Sequence, residues 1–81
     1  MRIIRLDDKY SVVCNSVSTR NGFRHDAVLM ENGVEVAKAK VNYLNRTWEA
    51  HQFDTVITKV ILKYFKGDEL NKYRMIFALG G

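Results

Sequence analysis

The stretch YSVVCNSVSTRNGFRHDAVLMENGVEVAKAKVNY, residues 10–43, decides the fold. It holds two Asn-Gly pairs, Asn21-Gly22 and Asn32-Gly33, set between segments rich in β-branched and aromatic residues. A type I′ turn needs positive φ at both central residues, which Asn and Gly adopt at least cost, and its twist matches that of paired strands. The pattern predicts strands over about 10–19, 23–30 and 34–43 in an antiparallel meander. A fourth, over 2–6, turns back through Asp7-Asp8.

Two-residue loops at both turns set a register, and the register says which residues share a face. Phe23 then opposes Asn42, His25 opposes Lys40, Ala27 opposes Lys38 and Leu29 opposes Val36, while Ser18 opposes His25 and Arg20 opposes Phe23. One face carries Arg20, Phe23, His25, Lys38 and Lys40, with Val12, Leu29, Val34 and Val36 toward its far end. The other carries Val13, Val17, Val28, Met30, Ala37, Ala39, Val41 and Tyr43. Small Ala37 and Ala39 let a helix approach closely, so the helix is placed on that second face and the basic face is left partly open.

Beyond residue 43 the period changes. Asn45 to His51 has no clear period and reads as a connecting loop. Phe53, Val56, Ile57, Val60, Ile61 and Tyr64 recur at steps of three and four, one face of a helix over 52–66 that Gly67 ends. Asp68 is placed to cap a second, short helix carrying Leu70, Tyr73 and Ile76 or Phe77, with an edge strand over Tyr73 to Leu79 as the alternative; Leu62 is either covered by residues 70–79, the simpler arrangement, or open to a partner. Lys59, Lys63 and Lys66 line a flank of the first helix near its C-terminal end, where cations complement the dipole. The expected architecture is α+β: one domain over 1–81, an antiparallel meander of three or four strands packed on one face by a C-terminal helix, with a second short helix.

Composition narrows the function classes. A chain of 81 residues buries a smaller share of its surface than a large one, leaving little scaffold for a multi-residue cleft, so a non-catalytic role is expected. A single cysteine, Cys14, makes no internal disulfide and points to a reducing compartment, the cytoplasm, with the thiol a buried structural one. No apolar run is long enough to span a bilayer, and residues 1–9 do not read as a signal peptide. His25, His51 and Cys14 lack paired metal-ligand spacing, and His25 and Asp26 point to opposite faces of a strand, so neither a metal site, a cofactor nor a catalytic dyad is expected. The net charge is +4, with no charged tail.

The segment Tyr43-Leu44-Asn45-Arg46-Thr47-Trp48-Glu49, followed by Phe53 and Val56, resembles a signature of small uncharacterised proteins of bacteriophages and mobile elements, over about residues 43–56. The resemblance implies a short viral accessory protein working in the host cytoplasm, a class that includes inhibitors of bacterial defence nucleoproteins such as anti-CRISPR proteins. It assigns no catalytic residue. Read physically, Trp48 is an anchor where sheet hands over to helix, and Arg46 either pairs with Glu49 or is left to bind.

The function expected from these readings is a binding module that engages nucleic acid or a host nucleoprotein. Arg20, Phe23, His25, Lys38 and Lys40 form the contacting face, cations meeting phosphates and rings stacking on unpaired bases. The alternative is a protein-interaction or homodimeric module without nucleic-acid binding, with Val12, Leu29, Val34 and Val36 as the contact. Beside both stands the plain reading that Lys38 and Lys40 keep a half-solvated sheet soluble.

Overall fold

Asn32 and Gly33 have φ of 51° and 83°, the pair of left-handed conformations that a type I′ turn demands. A computed structural model describes residues 2–43 and 52–80. Its elements are β1 (Arg2–Arg5), β2 (Tyr10–Thr19), β3 (Gly22–Glu31), β4 (Val34–Tyr43), α1 (Gln52–Tyr64) and α2 (Gly67–Ala78). The strands make one antiparallel sheet in the order β1-β2-β3-β4. Helix α1 lies across β3 and β4, and α2 packs on α1. This is the α+β meander that the turns and the change of period predict. Among the described residues no helix is long and apolar enough to cross a membrane.

The register departs from expectation in two places. The loop between β2 and β3 is Arg20-Asn21, because Thr19 pairs with Gly22, so Ser16 faces His25 and Cys14 faces Ala27. That shift is two residues and leaves the faces unchanged. The second departure exchanges them. Glu31 pairs with Val34 and Met30 with Glu35, as a two-residue loop requires, but the ladder slips between Leu29 and Met30, and from there Leu29 opposes Ala37, Ala27 opposes Ala39 and His25 opposes Val41. Val36 is the extra residue of a bulge.

The consequence corrects the expected faces. Val12, Cys14, His25, Ala27 and Leu29 lie with Ala37, Ala39 and Val41 on the side that α1 covers. Val13, Val17, Val28 and Met30, expected beneath the helix, lie instead on the open side with Lys38 and Lys40. The physical reason is the cost of burying ammonium groups. A ladder without the bulge would set Lys38 and Lys40 beside Val12 and Leu29 under the helix, whereas one extra residue turns the alanines inward and the lysines to water.

The core follows from that arrangement. Val12, Cys14, Ala27 and Leu29 of the sheet meet Val56, Ile57, Val60 and Ile61 of α1, all fully buried, with Phe53 and Tyr64 half-buried at either end of the helical stripe. Leu62 is 44% exposed and does not pack under residues 70–79 as expected. Helix α2 docks instead through Tyr73, whose ring stacks on Phe65 with centroids 4.2 Å apart. Between the helices Lys66 is extended and Gly67 takes φ of 59°, so the chain reverses at the expected glycine. The N-cap position of α2 is Lys66, with no side-chain hydrogen bond, so Asp68 is not the cap.

Two phenol–carboxylate pairs close the end of the domain where β1 turns into β2. The Tyr73 hydroxyl donates to Asp7 Oδ2 at 2.7 Å, and the Tyr10 hydroxyl to Glu31 Oε1 at 2.5 Å. Asp7 Oδ1 also accepts the backbone N–H groups of Lys9 and Tyr10, at 2.9 and 2.8 Å, which holds the β1–β2 turn. Partial burial pushes the Asp7 carboxyl up, but these hydrogen bonds and the charge of Lys72 outweigh it and hold its pKa below the ordinary 3.8. The Tyr10 bond holds Glu31 below its ordinary 4.5. Burial, then the Asp7 bond, pushes the Tyr73 phenol up to about 12.

Depressed carboxylates stabilise the fold above their ordinary pKa values and lose that contribution as pH falls through the folded ones; the raised phenol contributes below pH 10 and loses its share as pH rises toward 12. Thermal melts followed by circular dichroism should therefore show stability falling below about pH 4.5 and again above pH 10, and Tyr73→Phe should blunt the alkaline fall. A backbone test is equally direct. Gly33 has open space where a Cβ would stand, so Gly33→Ala carries only the left-handed penalty, about 1–2 kcal/mol, read as a lower denaturation midpoint with an unchanged spectrum.

Candidate nucleic-acid interface

The five residues expected to form one contacting face are not brought together. Arg20 is exposed in the β2–β3 turn. Phe23 is half-buried and stacks on Tyr43 with ring centroids 5.1 Å apart. His25 is fully buried, with Nδ1 2.6 Å from Ser16 Oγ and its ring 4.2 Å from that of Phe53. These contacts make His25 part of the packing against α1 rather than a surface ligand. Lys38 and Lys40 are exposed on the opposite side of the sheet. The bulge at Val36 is what separates them from Phe23 and His25. It also dissolves the expected apolar contact, since Val12 and Leu29 are fully buried and Val36 is half-buried, leaving Val34 as the exposed member. Arg46, Trp48, Glu49 and His51 lie outside the described residues.

What the structure does assemble is a groove along β4. Arg24, Asp26, Lys38 and Lys40 from the strands and Lys59 and Lys63 from α1 line it, with Ala27, Val28 and Ala39 between them, around a volume of about 480 Å³. Strand β4 is an edge of the sheet, and an edge strand presents alternate carbonyls with no neighbouring strand to bond. The Lys59 ammonium donates to the Lys40 carbonyl at 3.0 Å, and the Lys63 ammonium to the Lys38 carbonyl at 2.9 Å. The two periods match. Four residues of helix rise about 6 Å and two residues of strand about 7 Å, so lysines one turn apart reach successive outward carbonyls.

A neutral carbonyl fixes an ammonium without cancelling its charge. Arg24 is different, because Nε and Nη2 reach Asp26 Oδ1 and Oδ2 at 2.8 and 3.1 Å, a two-pronged pair along one strand face. Among the described residues the groove thus holds five cations and one carboxylate, a formal charge of +4, equal to the net charge of the chain. No family model, curated protein or solved structure matches the chain.

A concentration of fixed positive charge in a groove attracts polyanions and raises their local concentration. Lys38 and Lys40 belong to the expected face; Lys59, Lys63 and Arg24 do not. The spacing of Lys59 and Lys63 was visible, but it matches that of Lys38 and Lys40 only once α1 is known to run along β4. Cys14 is free and buried, and burial pushes its thiol up to about 11 against a smaller opposing pull from Arg2, which makes it an inert packing group. Among the described residues no cluster of three or more His, Cys, Asp or Glu side chains is placed to hold a metal ion.

Proposed function

We propose that this chain is a small non-catalytic binding protein that engages nucleic acid, free or within a host nucleoprotein, through the phosphates that enter the β4 groove. The observation that carries the reading is a formal charge of +4 on the described lining of one groove, equal to the net charge of the chain, with two of its ammonium groups pinned to backbone carbonyls. Pinned charges lose little freedom when a phosphate arrives. The resemblance of residues 43–56 to phage accessory proteins supports a bacterial cytoplasm as the setting and a defence nucleoprotein as the acceptor.

Each lysine–phosphate contact adds about 0.9 to the slope of log affinity against log salt on duplex DNA, hence about 0.9 log units of affinity at roughly 0.1 M salt. Lys38→Ala combined with Lys40→Ala should weaken binding roughly sixtyfold under those conditions. Arg74→Ala, an exposed cation on α2 away from the groove, should leave binding unchanged. Anisotropy titrations with labelled nucleic acid at several salt concentrations read this directly, and affinity indifferent to salt or to the double substitution would sink the proposal. A homodimeric module is the second reading, favoured by Ile3 and Val17, 62% and 39% exposed on the open side of the sheet. Sedimentation showing a concentration-dependent dimer with no nucleic-acid affinity would select it.

A further inference from the structure

We infer that the β4 groove takes double-stranded nucleic acid by its phosphates alone and does not read base sequence. The inference rests on the reading of the groove as a nucleic-acid site and narrows it. Three features of the lining carry it. Among the described residues of the lining the one guanidinium is Arg24, the group whose fork would recognise a guanine edge, and both of its prongs are taken by Asp26 at 2.8 and 3.1 Å. The remaining cations are four lysines, which act on phosphate as point charges. The uncharged lining is Ala27, Val28 and Ala39, which offer no ring face and no amide to a base.

Among the described residues, the rings that make aromatic contacts do so away from the groove. Tyr10, Phe65 and Tyr73 pack on one another, and Phe23, Tyr43 and Phe53 pack with His25 on the side of the sheet that α1 covers. Proteins that hold single strands gain much of their affinity from bases stacked on such rings. A groove whose described lining offers a phosphate only cations draws its affinity from the displaced counterions, and a duplex, with its denser charge, releases more of them. For four contacts the salt slopes are about −3.6 on a duplex and about −2.8 on a single strand, so at roughly 0.1 M salt the duplex binds about sixfold more tightly. The lysines also stand at a regular step, two along β4 and two held over its carbonyls, which suits a stiff backbone better than a flexible one.

The test measures the full chain against DNA duplexes of two unrelated sequences, and against the single strands of each, over roughly 50 to 200 mM salt. The expected result is equal affinity for the two duplexes within about twofold, a slope near −3.6, and weaker binding of every single strand. Arg24→Ala should not create or abolish a sequence preference, while Lys38→Ala with Lys40→Ala should reduce the slope by about 1.8. Single strands bound more tightly than duplexes, or two duplexes differing tenfold, would overturn duplex selectivity or base blindness and leave the groove a nucleic-acid site. Failure to bind either form, or a slope unmoved by the lysine substitutions, would overturn the underlying reading as well.

Discussion

Leu29→Ala should lower the stability of the domain by about 3 kcal/mol, within the 2–5 kcal/mol measured for buried leucines. Leu29 is fully buried toward the C-terminal end of β3, opposite Val12 on one side and Ala37 on the other. Truncation removes its transfer free energy and leaves a cavity that neighbours as stiff as Val12, Val56 and Ile57 do not collapse to fill. A domain of this size has a total stability of about 4–12 kcal/mol, so the loss is a large fraction of it and corresponds to roughly 12–24 °C in melting temperature. Leu62→Ala is the matched control. The same change at a residue 44% exposed should stay within about 0.5 kcal/mol. The contrast also tests which face of the sheet α1 covers, because with Leu29 on the open side the two substitutions would differ little. Chemical denaturation of both variants decides.

Lys59→Ala combined with Lys63→Ala should do two things at once. Polyanion affinity should fall roughly sixtyfold at about 0.1 M salt, as for the Lys38 and Lys40 pair, since the same number of cations leaves the groove. Unlike that pair, however, it uncovers the carbonyls of Lys38 and Lys40 on the rim of β4. A ten-residue edge strand with open carbonyls is a template for another strand. The α1 double variant should therefore associate with rising concentration in light scattering, whereas the β4 double variant keeps the wild-type distribution. Equal behaviour of the two would mean that the ammonium groups do not guard the edge. Both variants lose two positive charges, so a difference between them cannot come from net charge.

Much of the architecture was legible along the chain. Tyr10–Thr19 and Val34–Tyr43 end where the alternation and the Asn-Gly pairs place them, and α1 begins at Gln52 where the period turns helical. These are local matters, settled by turn dihedrals and by the spacing of apolar residues within one element. Membership of the two sheet faces was not legible, because it depends on one residue, Val36, whose insertion into the ladder leaves no mark in the alternation on either side. The candidate site inherited that error. Residue type alone marks Lys38 and Lys40, whereas only an unbroken register would join His25 and Phe23 to them.

The sequence by itself determined the order of the elements, the hairpin at Asn32-Gly33, the apolar stripe of α1 and a surplus of four positive charges. The tertiary structure alone decided where that surplus lies. A bulge turns the β4 lysines outward because burying them is costly, and the lie of α1 along β4 lets Lys59 and Lys63 reach carbonyls that an edge strand leaves unpaired. Charge is a property of composition, but a groove is made by the packing of elements distant in sequence, and no pattern within either element specifies how they meet.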